Sequence, residues 1–329
     1  MLRPILIQTA KLLAPTLAAY LALLWLAAGM DFPADSATRL DSADAERSIL
    51  ATEPAYVMFA SKLLAGRDPA VMLIGPSNVK AGFRPAELAP LLPGVAVHNM
   101  AVSGSNIDAM AAAVDLVYGQ RPPESRDGLV LVFGLWNGEF LHNESIPATT
   151  QLGRQMQRFG IFQHGPDGFT LQVGAGGFQM ATTLLRPIFA LQILIGSQSP
   201  LARRLAARTE DQAPAQRPPA RDFELPTAQF ETLVAVADKV ARQGGRLVLV
   251  DLPLPVSFSG PDPMWHRYQA AKGPWLAAAR AKGAVYVDMQ DMNAEEDLDG
   301  ATHPLPHATH KWAERLAAEL KANGVIPAR

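Results

Sequence analysis

The sequence predicts an α/β protein: a three-layer α/β/α domain on a parallel sheet, preceded by one N-terminal transmembrane helix. Two observations carry this expectation. Short, uninterrupted apolar runs alternate with helix-length stretches from residue 70 onward, and a long run near the N-terminus contains no charge. Strands covered on both faces by crossover helices read as continuous apolar runs, whereas strands with one wet face alternate.

The N-terminal run is residues 12–30, LLAPTLAAYLALLWLAAGM. As a helix it extends about 28 Å, close to the roughly 30 Å of a bilayer's hydrocarbon core. Arg3 and Lys11 precede it, and Asp31 and Asp35 follow. Basic flanks stay on the cytoplasmic side, so the rest of the chain is expected on the far side. Tyr20 and Trp25 suit such a segment. A cleaved signal peptide is the rival reading. Ala27, Ala28 and Gly29 offer a cleavage site, but the apolar run is long for that role. A soluble core helix is the lesser alternative, because the segment is apolar all round. The division expected is an anchor or uncleaved signal over 1–30, a linker and helical lead-in over 31–67, and a domain over 68–329 with an insertion at about 138–225.

The elements follow in order. Residues 44–66 read as a helix interrupted by Pro54. AVMLIG (70–75), ended by Gly75 and Pro76, reads as a buried strand. A short helix is expected over 83–88, a second strand over 95–100 and a helix over 107–117. GLVLVFG (128–134) is a strong third strand. Then come a helix over 226–242, the strand RLVLVDL (246–252), a helix over 263–282, a strand over 284–287 and a last helix over 308–322. Residues 138–200 interrupt the alternation. Arg186 and Pro187 sit inside their longest apolar stretch, so a lid or packed helix is expected there rather than a second span. The glycines of Gly174–Gly177 lack a following Lys-Ser/Thr and make no phosphate loop. Residues 203–221, rich in Arg, Ala, Pro and Gln, read as a surface loop, with contact to an acidic polymer as the sharper alternative.

Composition excludes several classes. The net charge of −2 leaves no excess of positive charge to neutralise phosphates, so nucleic acid is not an expected partner. The 49% hydrophobic content excludes global disorder. The absence of cysteine excludes disulfides, thiolate metal sites and a cysteine nucleophile.

The chemistry gathers where strands end, which is where parallel α/β sheets bind ligands. Ser77 stands in Gly75-Pro76-Ser77-Asn78, directly after the first strand, where a hydroxyl can attack a carbonyl once a base takes its proton. Asn99 to Ser105 follow the second strand, and Gly104 lets backbone N–H groups approach a ligand closely. Gly134-Leu135-Trp136-Asn137 follow the third, where the Asn137 amide can face an oxyanion and Trp136 is expected to pack. His303 precedes the last helix, with Asp297 and Asp299 upstream. His303, His307 and His310 have helical spacing that invites a metal reading, but Pro304 and Pro306 break a helix through them. No metal or cofactor is expected. His98, His142, His164 and His266 are expected to be structural.

This order of blocks resembles the SGNH, or GDSL-type, hydrolase superfamily. Gly75-Pro76-Ser77 matches its first block, with proline in place of aspartate, and Gly104 fits the second. Gly134 and Asn137 fit the third with two residues between them rather than one. His303-Pro304 and the terminal helix fit the last, although Asp299 stands four residues before the histidine rather than three. The resemblance covers roughly residues 68–135 and 246–322. It implies a Ser77 nucleophile, a His303 base oriented by Asp299, and an oxyanion site from the Ser77 and Gly104 N–H groups with Asn137. The expectation is therefore an extracytoplasmic serine esterase or O-acyltransferase. It would act on acyl, foremost acetyl, esters of surface polysaccharide or on a small acyl ester. Similarity to anchored members of the superfamily further implies a bacterial inner-membrane protein with its domain in the periplasm and a membrane-bound O-acyltransferase as partner. A non-catalytic polysaccharide-binding or assembly module on the same fold is the alternative.

Overall fold

The computed structural model describes residues 2–29, 68–101, 104–140, 162–165, 168–171, 224–299 and 302–326. Five parallel strands form the central sheet: β1 (Ala70–Ile74), β2 (Ala96–Asn99), β3 (Leu129–Leu135), β6 (Arg246–Asp251) and β7 (Val285–Asp288), in the order β2-β1-β3-β6-β7. A separate antiparallel hairpin pairs β4 (Phe162–Gly165) with β5 (Gly168–Leu171). It falls within the expected insertion, with Gly165 paired opposite Gly168, while the apolar stretch around Arg186 and Pro187, where a lid or packed helix is expected, lies outside the described residues.

Side-chain alternation divides the central strands between two cores. Met72, Ile74, Leu131, Phe133, Leu247 and Leu249 face one layer, with α4 (Ile107–Gln120), α5 (Thr227–Arg242) and α7 (Pro263–Ala281). Val71, Leu73, Val130, Val132, Val248 and Val250 face the other, with α2 (Ser77–Gly82), α3 (Pro85–Leu88) and α8 (Thr309–Ala322). All seven β3 residues are buried, as the absence of polar residues in that run requires. The chain moves from β1 outward to β2, then crosses back to β3 and continues to β6 and β7. The strand order therefore reverses between β1 and β3, and a crevice opens at the carboxyl ends of strands at such a point.

The segment after β1 differs from the expected turn and single helix over 83–88. Ser77 is the first residue of α2, and Pro76 is its N-cap, accepting the Lys80 N–H at 3.1 Å. Phe83 and Arg84 are extended, and α3 begins at Pro85. Proline disfavours helical backbone in the residue before it and fits the first helical position, so it splits one helix into two.

Two glycines seat α2. A Cβ on Gly75 would lie 2.4 Å from Val79 Cγ2, and one on Gly134 would lie 2.2 Å from the same atom. Only bare backbone at the ends of β1 and β3 lets Val79 drop against the sheet. The last helix then closes on α2 and α3: Trp312 lies 5.5 Å from Phe83 between ring centroids, and Thr309 Oγ1 donates to Glu87 Oε1 at 2.9 Å. A Cβ on Gly82 would meet the Trp312 ring at 2.5 Å.

The N-terminal α1 (Leu2–Gly29) is one 28-residue helix containing Pro15. Residues 13–22 are exposed, apart from half-buried Tyr20. The side chains of residues 23–29 lie outside the described residues, and among the described residues no helix is long and apolar enough to cross a membrane. The expected helix over 44–66, the glycines at 174–177, the loop over 203–221 and His142 also lie outside the described residues.

Overpacking a filled core site costs about 1–3 kcal/mol. Gly134→Ala should therefore destabilise the protein by about that amount in urea titration. Combined with Val79→Ala, its cost should fall well below the sum of the two single substitutions, because both act on one contact.

Candidate active site

Ser77, His303 and Asp299 form a continuous hydrogen-bonded chain. His303 Nε2 lies 2.8 Å from Ser77 Oγ, and His303 Nδ1 lies 3.0 Å from Asp299 Oδ2. Ser77 is placed by the start of α2 at the carboxyl end of β1. His303 arrives from the opposite end of the domain sequence because α8 packs beside α2 on the same face of the sheet.

Backbone pairing sets the four-residue spacing of Asp299 and His303. Leu298 and Pro304 form an isolated antiparallel bridge. The Asp299 N–H donates to the His303 carbonyl at 2.9 Å, and Leu305 N–H donates to the Asp297 carbonyl at 2.8 Å. The His303 N–H in turn reaches Asp299 Oδ1 at 3.2 Å, so one carboxylate holds both the imidazole and the backbone of the same residue. Within this hairpin-like link Asp299 lies alongside His303. Asp297 is turned away. Its carboxylate accepts from Lys311 Nζ at 2.8 and 2.7 Å and pairs with His307 Nε2 at 3.1 Å. The Lys311 hydrogen bonds hold the Asp297 carboxyl below its ordinary range.

The three histidines of the C-terminal segment thus have separate partners, since His310 Nε2 pairs with Glu314 Oε1 at 3.1 Å. His266 Nε2 lies 2.8 Å from the Gly260 carbonyl. Burial, with the Arg121 charge beside it, lowers His98 to about 4, which keeps that imidazole neutral. His164 stands on β4 opposite Phe169.

The expected oxyanion residues are placed differently from one another. Gly104 has φ of +71°, a conformation open to glycine, and precedes α4, whose N-cap Asn106 accepts the Ala109 N–H at 2.9 Å. Asn137 opens a 3₁₀ turn (Asn137–Phe140) directly after β3. Its Nδ2 donates to Asp262 Oδ2 at 3.0 Å, which ties it to the N-terminus of α7. Half-buried Trp136 packs against Phe258, with ring centroids 6.3 Å apart.

Asn99 has a role that sequence reasoning missed. Its Nδ2 faces the carbonyls of Val79, Lys80 and Phe83 at 3.3, 3.3 and 2.9 Å, and its Oδ1 accepts the Ala101 N–H at 3.0 Å. One buried amide thereby satisfies the open carbonyl end of α2, a device available only because α2 is short. The only signal in the sequence is a polar residue ending an apolar strand. A second unforeseen group lies beneath Trp136. Glu139 is fully buried and accepts the Trp136 N–H on Oε2 at 2.8 Å. Burial raises its carboxyl well above the ordinary range, and nearby Asp251 adds to the rise.

Neither a family model nor a curated protein matches the chain. Among solved structures it is similar to LAE5, an alpha/beta hydrolase enzyme from the metagenome of Lake Arreo, Spain. The identity is 14%, over 79% of this chain and 97% of that one, with a TM-score of 0.41. A likeness at that score carries no argument about activity, which rests on the geometry of the site.

Glu139 gives a pH test of the site's floor. Its native carboxyl keeps its proton above the pH at which the unfolded one, near about 4.3, releases it. The native state therefore binds more protons in that window, and stability falls as pH rises. Glu139→Gln, which preserves the acceptor for Trp136, should raise Tm at pH 7, and its advantage over the wild type should shrink as the pH is lowered to about 4.

Proposed function

We propose that the protein is a serine esterase or O-acyltransferase that acts on acyl esters through an acyl-Ser77 intermediate. The hydrogen-bonded chain from Ser77 through His303 to Asp299 carries this reading. His303 Nε2 takes the Ser77 proton as Oγ attacks the ester carbonyl. The tetrahedral intermediate collapses when His303 returns that proton to the leaving alcohol, which leaves Ser77 acylated. In the second half His303 deprotonates the acceptor hydroxyl, which attacks the acyl carbon, and the proton passes back to Ser77. Water as acceptor gives hydrolysis, and a sugar hydroxyl gives transfer. Asp299 fixes the imidazole tautomer and stabilises its positive form. The Ser77 and Gly104 N–H groups are the backbone donors for the oxyanion. Asp262 holds one N–H of the Asn137 amide, and the other completes the set. A non-catalytic module on this fold gives no reason for an aspartate, a histidine and a serine to be aligned in this way.

The substrate class proposed is the acetylated surface polysaccharide of a bacterium. The accessibility of the site supports a bulky substrate, since the His303 and Asp299 side chains are 37 and 36% exposed. The location proposed is the periplasmic face of the inner membrane, with α1 as the anchor. Leu13, Leu17 and Leu21 on α1 are 57, 58 and 54% exposed, an apolar surface that supports this placement. A tether raises the effective concentration of a membrane-bound O-acyltransferase that hands over the acyl group.

A fluorophosphonate probe should label the wild type and leave Ser77→Ala unlabelled; equal labelling of both overturns the nucleophile. Loss of a base-orienting aspartate costs about 10⁴ in turnover. Asp299→Asn should therefore lower hydrolysis of an activated acetyl ester far more than Asp297→Asn, and the reverse ranking moves the role to Asp297. A fragment beginning at Asp31 should retain small-ester turnover and lose polymer acylation in cells. Full polymer modification by that fragment removes the hand-over from the proposal.

A further inference from the structure

A second cavity lies on the same edge of the sheet as Ser77. Its volume is about 200 Å³, and its walls include Leu254, Val256, Gly260, Trp265, Gln290 and Asn293. These residues follow β6 and β7, which stand two and three strand steps from β1. At about 4.8 Å per step, the cavity lies about 10–14 Å across the sheet from the strand that carries Ser77. Phe258, in the short helix α6 (Val256–Ser259) on the cavity wall, packs on Trp136 after β3. The helix that lines the cavity thereby touches the end of β3, the strand next to β1.

The cavity's polar side is built from below. Buried Asp251, at the end of β6, accepts from Tyr268 Oη at 2.9 Å and Tyr286 Oη at 3.0 Å and forms an ion pair with Lys272 Nζ. Lys272 also donates to Gln290 Oε1 at 3.2 Å, and the Gln290 N–H is held by Asp288 Oδ1 at 2.9 Å. With its oxygen held by Lys272, the Gln290 amide offers its NH₂ end to a ligand. Asn293 supplies a second amide, while half-buried Trp265 and the 59% exposed Val256 supply apolar surface.

We infer that this cavity is a saccharide subsite that binds one ring of a neutral polysaccharide beside the acyl-transfer site. The inference rests on the esterase or transferase reading for the role of the ring, but not for its binding. A sugar ring has an apolar C–H face that suits an indole and hydroxyls that suit fixed amides. The volume falls below the about 300–1,000 Å³ of drug-sized sites, so the cavity suits one ring. The charge around it selects a neutral one. Asp288 and Asp291 flank Gln290, and Glu295 accepts from Ser257 beside Val256. The Lys272 ammonium is held by Asp251 and Gln290, and Arg315 is shared between Asp291 at 3.6 Å and Glu319 at 3.1 Å. A uronate would therefore enter against negative charge.

The test uses the purified full chain, with acetylated cellotriose and p-nitrophenyl acetate as esters and cellotriose and trigalacturonate as binding probes. An aromatic contact is worth up to about tenfold in affinity. Trp265→Ala should lower the ratio of kcat/KM for acetylated cellotriose over p-nitrophenyl acetate by about tenfold, and Trp265→Phe should recover most of it. In calorimetry cellotriose should bind the wild type and lose about tenfold in affinity to Trp265→Ala, with trigalacturonate weaker than cellotriose. An unchanged ratio, no cellotriose binding by the wild type, or equal binding of trigalacturonate overturns the subsite. Wild-type protein that binds cellotriose through Trp265 but turns over neither ester supports the subsite and removes the esterase reading alone.

Discussion

The contact of Val79 with Gly75 and Gly134 is the constraint on which the site depends. It brings the first turn of α2 down between the ends of β1 and β3, where the strand order reverses. A side chain on either glycine would lift that turn, and with it Ser77. The same seating places Phe83 and Gly82 where Trp312 can cover them, so the position of α8 depends on it too. His303 reaches Ser77 because α8 is docked there. The Ser77 hydroxyl and the His303 imidazole therefore share one apolar foundation, although 226 residues separate them along the chain.

Several buried polar groups lie at the carboxyl ends of the strands. Asn99 closes the carbonyl end of α2, and the Asp251–Lys272 pair with its two tyrosines supports Gln290. Burying such groups is costly unless they are paired, and these are paired across elements rather than within them. Buried polar side chains also tie helix to helix, as where Gln229 Nε2 donates to Asp108 Oδ2 at 2.7 Å between α5 and α4.

The short link from Asp297 to Leu305 assigns two neighbouring acids to different tasks. Antiparallel pairing of Leu298 with Pro304 places Asp299 alongside His303, and Asp297 instead meets Lys311 on the first turns of α8. Lys311 anchors the base of the link to the helix while the tip holds the imidazole. A change at Asp297 acts on the anchoring of the link to α8, whereas a change at Asp299 acts on the ring and backbone of His303.

The sequence by itself determined the alternation of strand and helix from β1 to α8, because strands buried on both faces must be apolar throughout and leave a pattern that can be read locally. It also pointed to Ser77 and Asn137 as polar residues just past strand ends, and to Gly104, His303 and the acids before His303 through the order of blocks that carries the resemblance. It misplaced the helix after β1, since the seating of Val79 that holds the first short helix depends on Gly75 after β1 and Gly134 in β3, which lie far apart in the sequence. It did not assign Asn99, Glu139 or the Lys272–Gln290 contact, whose partners lie as far as 20 residues away or on other elements. The choice between Asp297 and Asp299 also required the fold. Both acids have the same chemistry and nearly the same spacing from His303. Only the antiparallel bridge and the docked lysine distinguish them, and those contacts exist only once α8 has packed against the sheet.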